Sequence, residues 1–87
     1  MTVLVDPPFW PRNGRLWSHL VSDMSLAELH AFAAVAGIPR QGFDRDHYDV
    51  PGDVHDRLVQ LGAESVGTRE LVHRLRASGL RVRARDR

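Results

Sequence analysis

Eighty-seven residues leave room for one small domain and exclude a multidomain enzyme. The absence of cysteine excludes a disulfide scaffold, a thiolate zinc finger and a cysteine nucleophile. A hydrophobic share of 43% with a net charge of +1 argues against wholesale disorder.

A domain of this size buries only about 60–65% of its unfolded surface. The core is therefore thin, and a homodimer would thicken it. The longest uncharged run, Leu29–Pro39, is about 11 residues, well short of the roughly 20 that span a bilayer. The N-terminal stretch lacks a basic region and carries Asp6, so it does not read as a signal peptide. These features set the expectation of a cytoplasmic protein with no membrane partner.

The first predicted element is residues 2–5, a short buried strand of β-branched residues and Leu that Asp6-Pro7-Pro8 ends. A long loop is expected through Trp10-Pro11-Arg12-Asn13-Gly14-Arg15, because Pro11 and the Asn-Gly pair disfavour helix. Leu16–Val21 fits either a second short strand or one helical turn. Ser25-Leu26-Ala27-Glu28 is a capping box. It opens a helix over about residues 25–36, with Leu26, Leu29, Ala33 and Ala36 on one face. Gly37 stops that helix, and Pro39 prevents its continuation.

Gln41–Val50 reads as irregular, with brief pairing near Tyr48–Val50. Pro51 suits the first turn of a second helix, whose stripe is Val54, Leu58 and Leu61 and whose stop is Gly62. Glu64–Val66 reads as a short strand. Thr68 caps a third helix with Leu71, Val72 and Leu75 as its stripe and Gly79 as its end. Leu80, Val82 and Ala84 then alternate with Arg81, Arg83 and Arg85, a period of two that suits an edge strand.

Strands interleaved with helices predict an α/β fold, with a short, mostly parallel sheet and about three helices. Residues 1–80 would form one domain. Residues 81–87 would form a basic arm, either an edge strand or unstructured. If the first strand and residues 64–66 lie parallel, Asp6 falls at the carboxyl end of a strand, where open α/β sheets bind ligands.

The candidate site is built from Asp6, His19, His47 and Asp49, with Asp23 nearby in sequence. All lie on predicted loops or element ends, the usual places for chemistry. Two histidines with a carboxylate can hold Zn, Mn or Fe and leave a coordination position open. On the sequence, His19, His47 and Asp6 are the expected ligands of a divalent metal ion. The same residues without metal could run acid–base catalysis, with a carboxylate fixing the tautomer of a histidine proton carrier. The spacing matches no metal signature such as His-Glu-x-x-His. Asp and His also serve turns through local hydrogen bonds.

Arg12 and Arg15 bracket Asn13-Gly14 and could seat a phosphate or carboxylate on their guanidinium forks. Trp10 and Tyr48 are candidates to stack on a ring of that ligand, and Trp17 lies in the same stretch. No P-loop and no G-x-S-x-G elbow is present. His30, His55 and His73 read as partly exposed helical residues.

Charge is unevenly placed. Residues 1–53 hold four Arg against seven acids, and residues 54–87 hold eight Arg against four. All twelve basic residues are Arg. Arg69, Arg74 and Arg76 with the arm Arg81–Arg87 make nucleic acid a second candidate partner. The two functional readings are thus a His/Asp-centred site, hydrolytic or binding, for a phosphorylated or nucleotide-type ligand, and a nucleic-acid-binding or regulatory module without catalysis. The sequence does not decide whether the protein is an enzyme.

The blocks VLVDPPFWPRNGRLWSHLVSD (3–23), SLAELHAFAAVAGI (25–38), DHYDVP (46–51) and TRELVHRLRASGLR (68–81) together resemble a family. It is the group of small bacterial and phage proteins known as domain of unknown function 4031. The resemblance covers nearly the whole chain and implies a self-standing protein. It implies no activity, cofactor or catalytic residue.

Overall fold

The computed structural model describes residues 2–82. Nine elements follow in order: β1 (Val3–Val5), β2 (Trp10–Arg12), β3 (Arg15–Ser22), α1 (Leu26–Ala36), β4 (Phe43–Asp44), β5 (His47–Pro51), α2 (His55–Gln60), β6 (Glu64–Ser65) and α3 (Thr68–Ser78). Short 3₁₀ turns at Arg40–Gly42 and Gly52–Val54 precede β4 and α2.

The sheet runs β4-β5-β3-β1-β6, and β2 also pairs with β3. Among the described residues one pair, β1 with β6, is parallel, and the other four are antiparallel. The expectation of a mostly parallel sheet is therefore corrected. Two hairpins account for the difference. Trp10-Pro11-Arg12 is a strand rather than a loop, folded back on β3 through Asn13 and Gly14 at φ 54° and 76°. Left-handed values at both turn residues suit the twist of a two-residue hairpin, and Asn-Gly is its strongest sequence signal. Pro11 is tolerated because β2 lies at an edge. The second hairpin joins β4 to β5 through Arg45, at φ 62°, and Asp46. Residues 43–51 are thus largely strand, and Leu16–Val21 belongs to the eight-residue β3.

The pleat divides the core. Val3, Val5, Leu20, Tyr48 and Val50 face one way and pack with Leu29, Ala33 and Ala36 of α1 and Leu58 of α2. Leu4 and Val21 face the other way, under Leu71 and Leu75 of α3. Three layers result, α1 and α2 against one face and α3 against the other. The α3 side holds the smaller cluster and leaves part of its sheet face open, where the odd-numbered residues of β3 and β5 stand.

Helix α1 starts at the expected cap, with Ser25 Oγ accepting the Glu28 N–H at 3.0 Å. The reciprocal half of the capping box is replaced, because Ser22 Oγ accepts the Ser25 N–H and donates to the Glu28 carboxylate. Gly37 ends α1 and Gly79 ends α3 in the left-handed conformation. Pro51 closes β5 instead of starting the second helix. Gly67, not Thr68, is the residue before α3, and the Thr68 hydroxyl has another use. Leu80–Val82 forms no strand, and residues 83–87 of the expected arm lie outside the described residues. Among the described residues, no helix is long and apolar enough to cross a membrane.

Candidate metal centre

Strand register builds the site. His19 on β3 lies directly opposite Asp49 on β5, and His47 stands two residues before Asp49 on the same face. The expected convergence of His19 and His47 is observed: one donor atom each from His19, His47 and Asp49 falls within 4.8 Å of the others. The imidazole centroids are 5.3 Å apart, edge to face. His47 Nε2 lies 3.0 Å from Asp49 Oδ1.

Asp6 sits behind this group rather than in it. Pro7 and Pro8 carry no N–H, so the β1 ladder fails at Asp6. The Asp6 N–H still donates to the His19 carbonyl at 3.2 Å. The return bond goes to the side chain, whose Oδ1 accepts the His19 N–H at 2.6 Å. Asp6 Oδ2 meets His19 Nδ1 at 2.8 Å and accepts the Thr68 hydroxyl at 2.9 Å. Asp6 is fully buried and satisfied in this way. A carboxylate only accepts, so this contact orients the His19 ring with Nδ1 as the donor and turns Nε2 away from Asp6.

Asp46 plays the same part for His47. It is fully buried at the β4–β5 turn, with Oδ1 at 2.6 Å from His47 Nδ1. Its Oδ2 accepts the Val82 N–H at 2.8 Å and an Arg81 guanidinium N–H at 3.3 Å. Burial opposes charge on His47, but hydrogen bonds to Asp49 and Asp46 and their negative charges outweigh it and raise its pKa. Burial likewise opposes ionisation of Asp46 and Asp49. The His47 contacts, with Val82 N–H and Arg81 for Asp46 and with His19 and Arg12 for Asp49, hold both carboxyls below their usual range.

A row of rings flanks the donors. Trp10 stacks on His19 at 5.6 Å and on Trp17 at 6.1 Å, and Phe9 tilts against His19 at 5.9 Å. The Arg12 guanidinium lies over Trp17 and Trp10, 4.5 and 5.1 Å from their centroids, and 3.8 Å from Asp49. Two openings reach the cluster. A cavity of about 140 Å³ runs under α3 between His19, His47, Leu71, Leu75 and Arg81. A cleft of about 540 Å³ reaches Asp49 past Arg12, Trp17, Phe43 and Asp44.

Other expected site residues lie elsewhere. Tyr48 cannot stack on a ligand: the pleat turns it into the core, 1% exposed, where its hydroxyl meets His30 Nδ1 at 2.8 Å. Arg15 pairs with Asp53 at 3.5 Å on the exposed side of the hairpin. Asp23 is held by Arg74 and the Thr2 N–H. Asp46, Thr68 and Arg81 were not singled out as site residues. The adjacent Asp46-His47 pair carried a signal for the first; nothing local marks the other two, which arrive from α3.

Two imidazoles and a carboxylate on neighbouring antiparallel strands, each imidazole backed by a buried aspartate, form the polar centre of a small α/β protein. The chain belongs to the family described as a protein of unknown function (DUF4031), whose model matches residues 3–78. No curated protein and no solved structure matches it.

Proposed function

We propose that His19, His47 and Asp49 hold a divalent metal ion, Zn, Mn or Fe, and that the loaded centre binds or hydrolyses a phosphorylated, nucleotide-type ligand. The observation that carries this reading is the pairing of each histidine Nδ1 with a buried carboxylate beside three donors within 4.8 Å. Metal-ligating histidines are commonly oriented through such contacts. The 3.0 Å between His47 Nε2 and Asp49 Oδ1 suits bonds of about 2.0–2.2 Å from both to one ion. Three protein ligands leave positions open for a water or a phosphoryl oxygen.

Asp6 moves in this reading from ligand to orienting group. Arg12 beside Asp49 places a guanidinium in the larger opening, which favours an anion. The larger cleft has the size of small-molecule sites. The nucleic-acid reading has less support. Arg74 is engaged by Asp23, Glu64 and Glu70, and Arg81 by Asp46, which leaves Arg69, Arg76 and the arm.

Protein purified without chelator, followed by elemental analysis and Zn(II) and Mn(II) titration, tests the proposal. One ion per chain is expected, with uptake lost in His19→Ala and His47→Ala. Mononucleotide binding to the loaded protein should weaken at least tenfold in Arg12→Ala. Failure of the wild-type chain to take up any ion overturns the metal; unchanged uptake in both histidine variants overturns these ligands.

A further inference from the structure

We infer that helix α3 sets the geometry of this centre, with Thr68 and Arg81 as positioning residues that act through Asp6 and Asp46; the inference rests on the metal reading above. The two aspartates that hold the histidines belong to different parts of the fold, β1 and the β4–β5 turn. Yet the remaining donors to both come from the two ends of one helix. Thr68, the first residue of α3, donates its hydroxyl to Asp6 at 2.9 Å. Arg81 and Val82, just past its end, donate to Asp46 at 3.3 and 2.8 Å. An 11-residue helix is about 16 Å long, so its two ends reach different parts of the sheet.

These contacts matter because an aspartate carboxyl rotates in a broad torsional well. Its plane is fixed only when both oxygens are engaged. Asp46 Oδ1 is used by His47, so Oδ2 depends on Arg81 and Val82. Asp6 Oδ1 is used by the His19 N–H, and Oδ2 is shared between His19 Nδ1 and Thr68. Withdrawing α3 would leave two fully buried carboxylates short of donors and both imidazoles less firmly set. Between its ends, α3 is held by a small apolar cluster of Leu71 and Leu75 on Leu4 and Val21 and by the Arg74–Asp23 pair. The apolar contact is thin enough for the polar anchors to count. Leu71, Leu75 and Arg81 also wall the cavity beside His19 and His47, so the seat of α3 shapes the space next to the ion. Coupling of this kind is reciprocal: a seated α3 favours the ion, and the ion favours a seated α3.

The test compares full-length wild type with Thr68→Val, Thr68→Ser and Arg81→Gln. The probes are Zn(II), for affinity, and Co(II), whose visible spectrum reports coordination geometry. Thr68→Val should bind Zn(II) about tenfold more weakly, the low end of the loss seen for outer-shell partners, with an altered Co(II) spectrum. Thr68→Ser keeps the hydroxyl and should restore both values. Arg81→Gln should shift them in the same direction by less, since the Val82 N–H remains. Zn(II) should slow amide exchange across Leu71–Ser78 in wild type, and less so in Thr68→Val. If Thr68→Val and Arg81→Gln match wild type in affinity and spectrum, the inference is overturned even when the metal-free variants melt lower. If wild type takes up neither ion, the metal reading falls and this inference with it, a different pattern from tight binding by all four proteins.

Discussion

At the scale of single residues, the site depends on which oxygen and which nitrogen meet. Asp6 illustrates this. Its position after a strand and before two prolines marks it from sequence, but its side chain replaces a missing ladder carbonyl and grips His19 Nδ1. It is fully buried, and both of its oxygens are already engaged. Asp6→Asn keeps the shape but puts an amide where the site needs an acceptor at every contact. Zn(II) affinity should fall about 10–100-fold, measured by competition with a chromophoric chelator. An unchanged affinity would mean that the His19 orientation does not depend on Asp6. Asp49 was legible as a site residue, and it stands beside both histidines where sequence reasoning had put Asp6. Cross-strand register decides that exchange, and the register was not readable from residue order.

At the scale of elements, the helices were more legible than the sheet. The Ser25 cap, the Gly37 and Gly79 stops and the apolar stripes are each set by residues close in sequence within one helix, so local patterns define them. The hairpins depend on pairing across the chain. The Asn13-Gly14 signal was present but was read only as a breaker of helix. Packing at the foot of that hairpin gives one prediction. A Cβ on Gly52 would stand 2.5 Å from Pro8 Cβ, so something must move. Gly52→Ala should destabilise by about 1–3 kcal/mol, the usual cost of overpacking, as read by urea denaturation.

A second element-scale prediction concerns the tie between β3 and α3. Burial opposes charge on Asp23, but hydrogen bonds from the Thr2 N–H and Arg74 and the Arg74 charge prevail, and its pKa is lowered. A lowered carboxyl pKa stabilises the fold above the unfolded value of about 3.9 and loses that effect as pH falls through the folded value. Asp23→Asn should therefore lower Tm at pH 6. The deficit should shrink steadily below about pH 4 as the wild type protonates. A constant deficit from pH 6 to pH 2 would show that the carboxylate's charge is not what Arg74 and Thr2 recognise.

At the scale of the whole molecule, the proposed ion and the fold would share the same groups. The donors stand on β3 and β5, and their supports reach β1, the β4–β5 turn and both ends of α3. A ligand that binds only the folded chain stabilises it by mass action, by about 2.7 kcal/mol at a hundredfold excess over Kd. For a domain of this size that corresponds to about 10–20 °C in Tm. Zn(II) should produce such a rise in wild type, removable by chelator, and none in His19→Ala/His47→Ala. Calorimetry with and without the ion checks it.

The sequence by itself determined the α/β class and the three helices with their stops, and it named His19, His47 and Asp49 as polar residues at element ends. Those features follow from short-range periodicity, caps and the crowding of polar residues at element ends. Only the tertiary structure decided that the sheet is mostly antiparallel and that Tyr48 faces the core. It also placed Asp49 beside the histidines, with Asp6 and Asp46 behind them. The reason is register: side chains alternate along a strand, so pairing across the sheet settles which ones share a face. Thr68 and Arg81 lie still further from local reading, because α3 brings them to the site only by packing on the sheet.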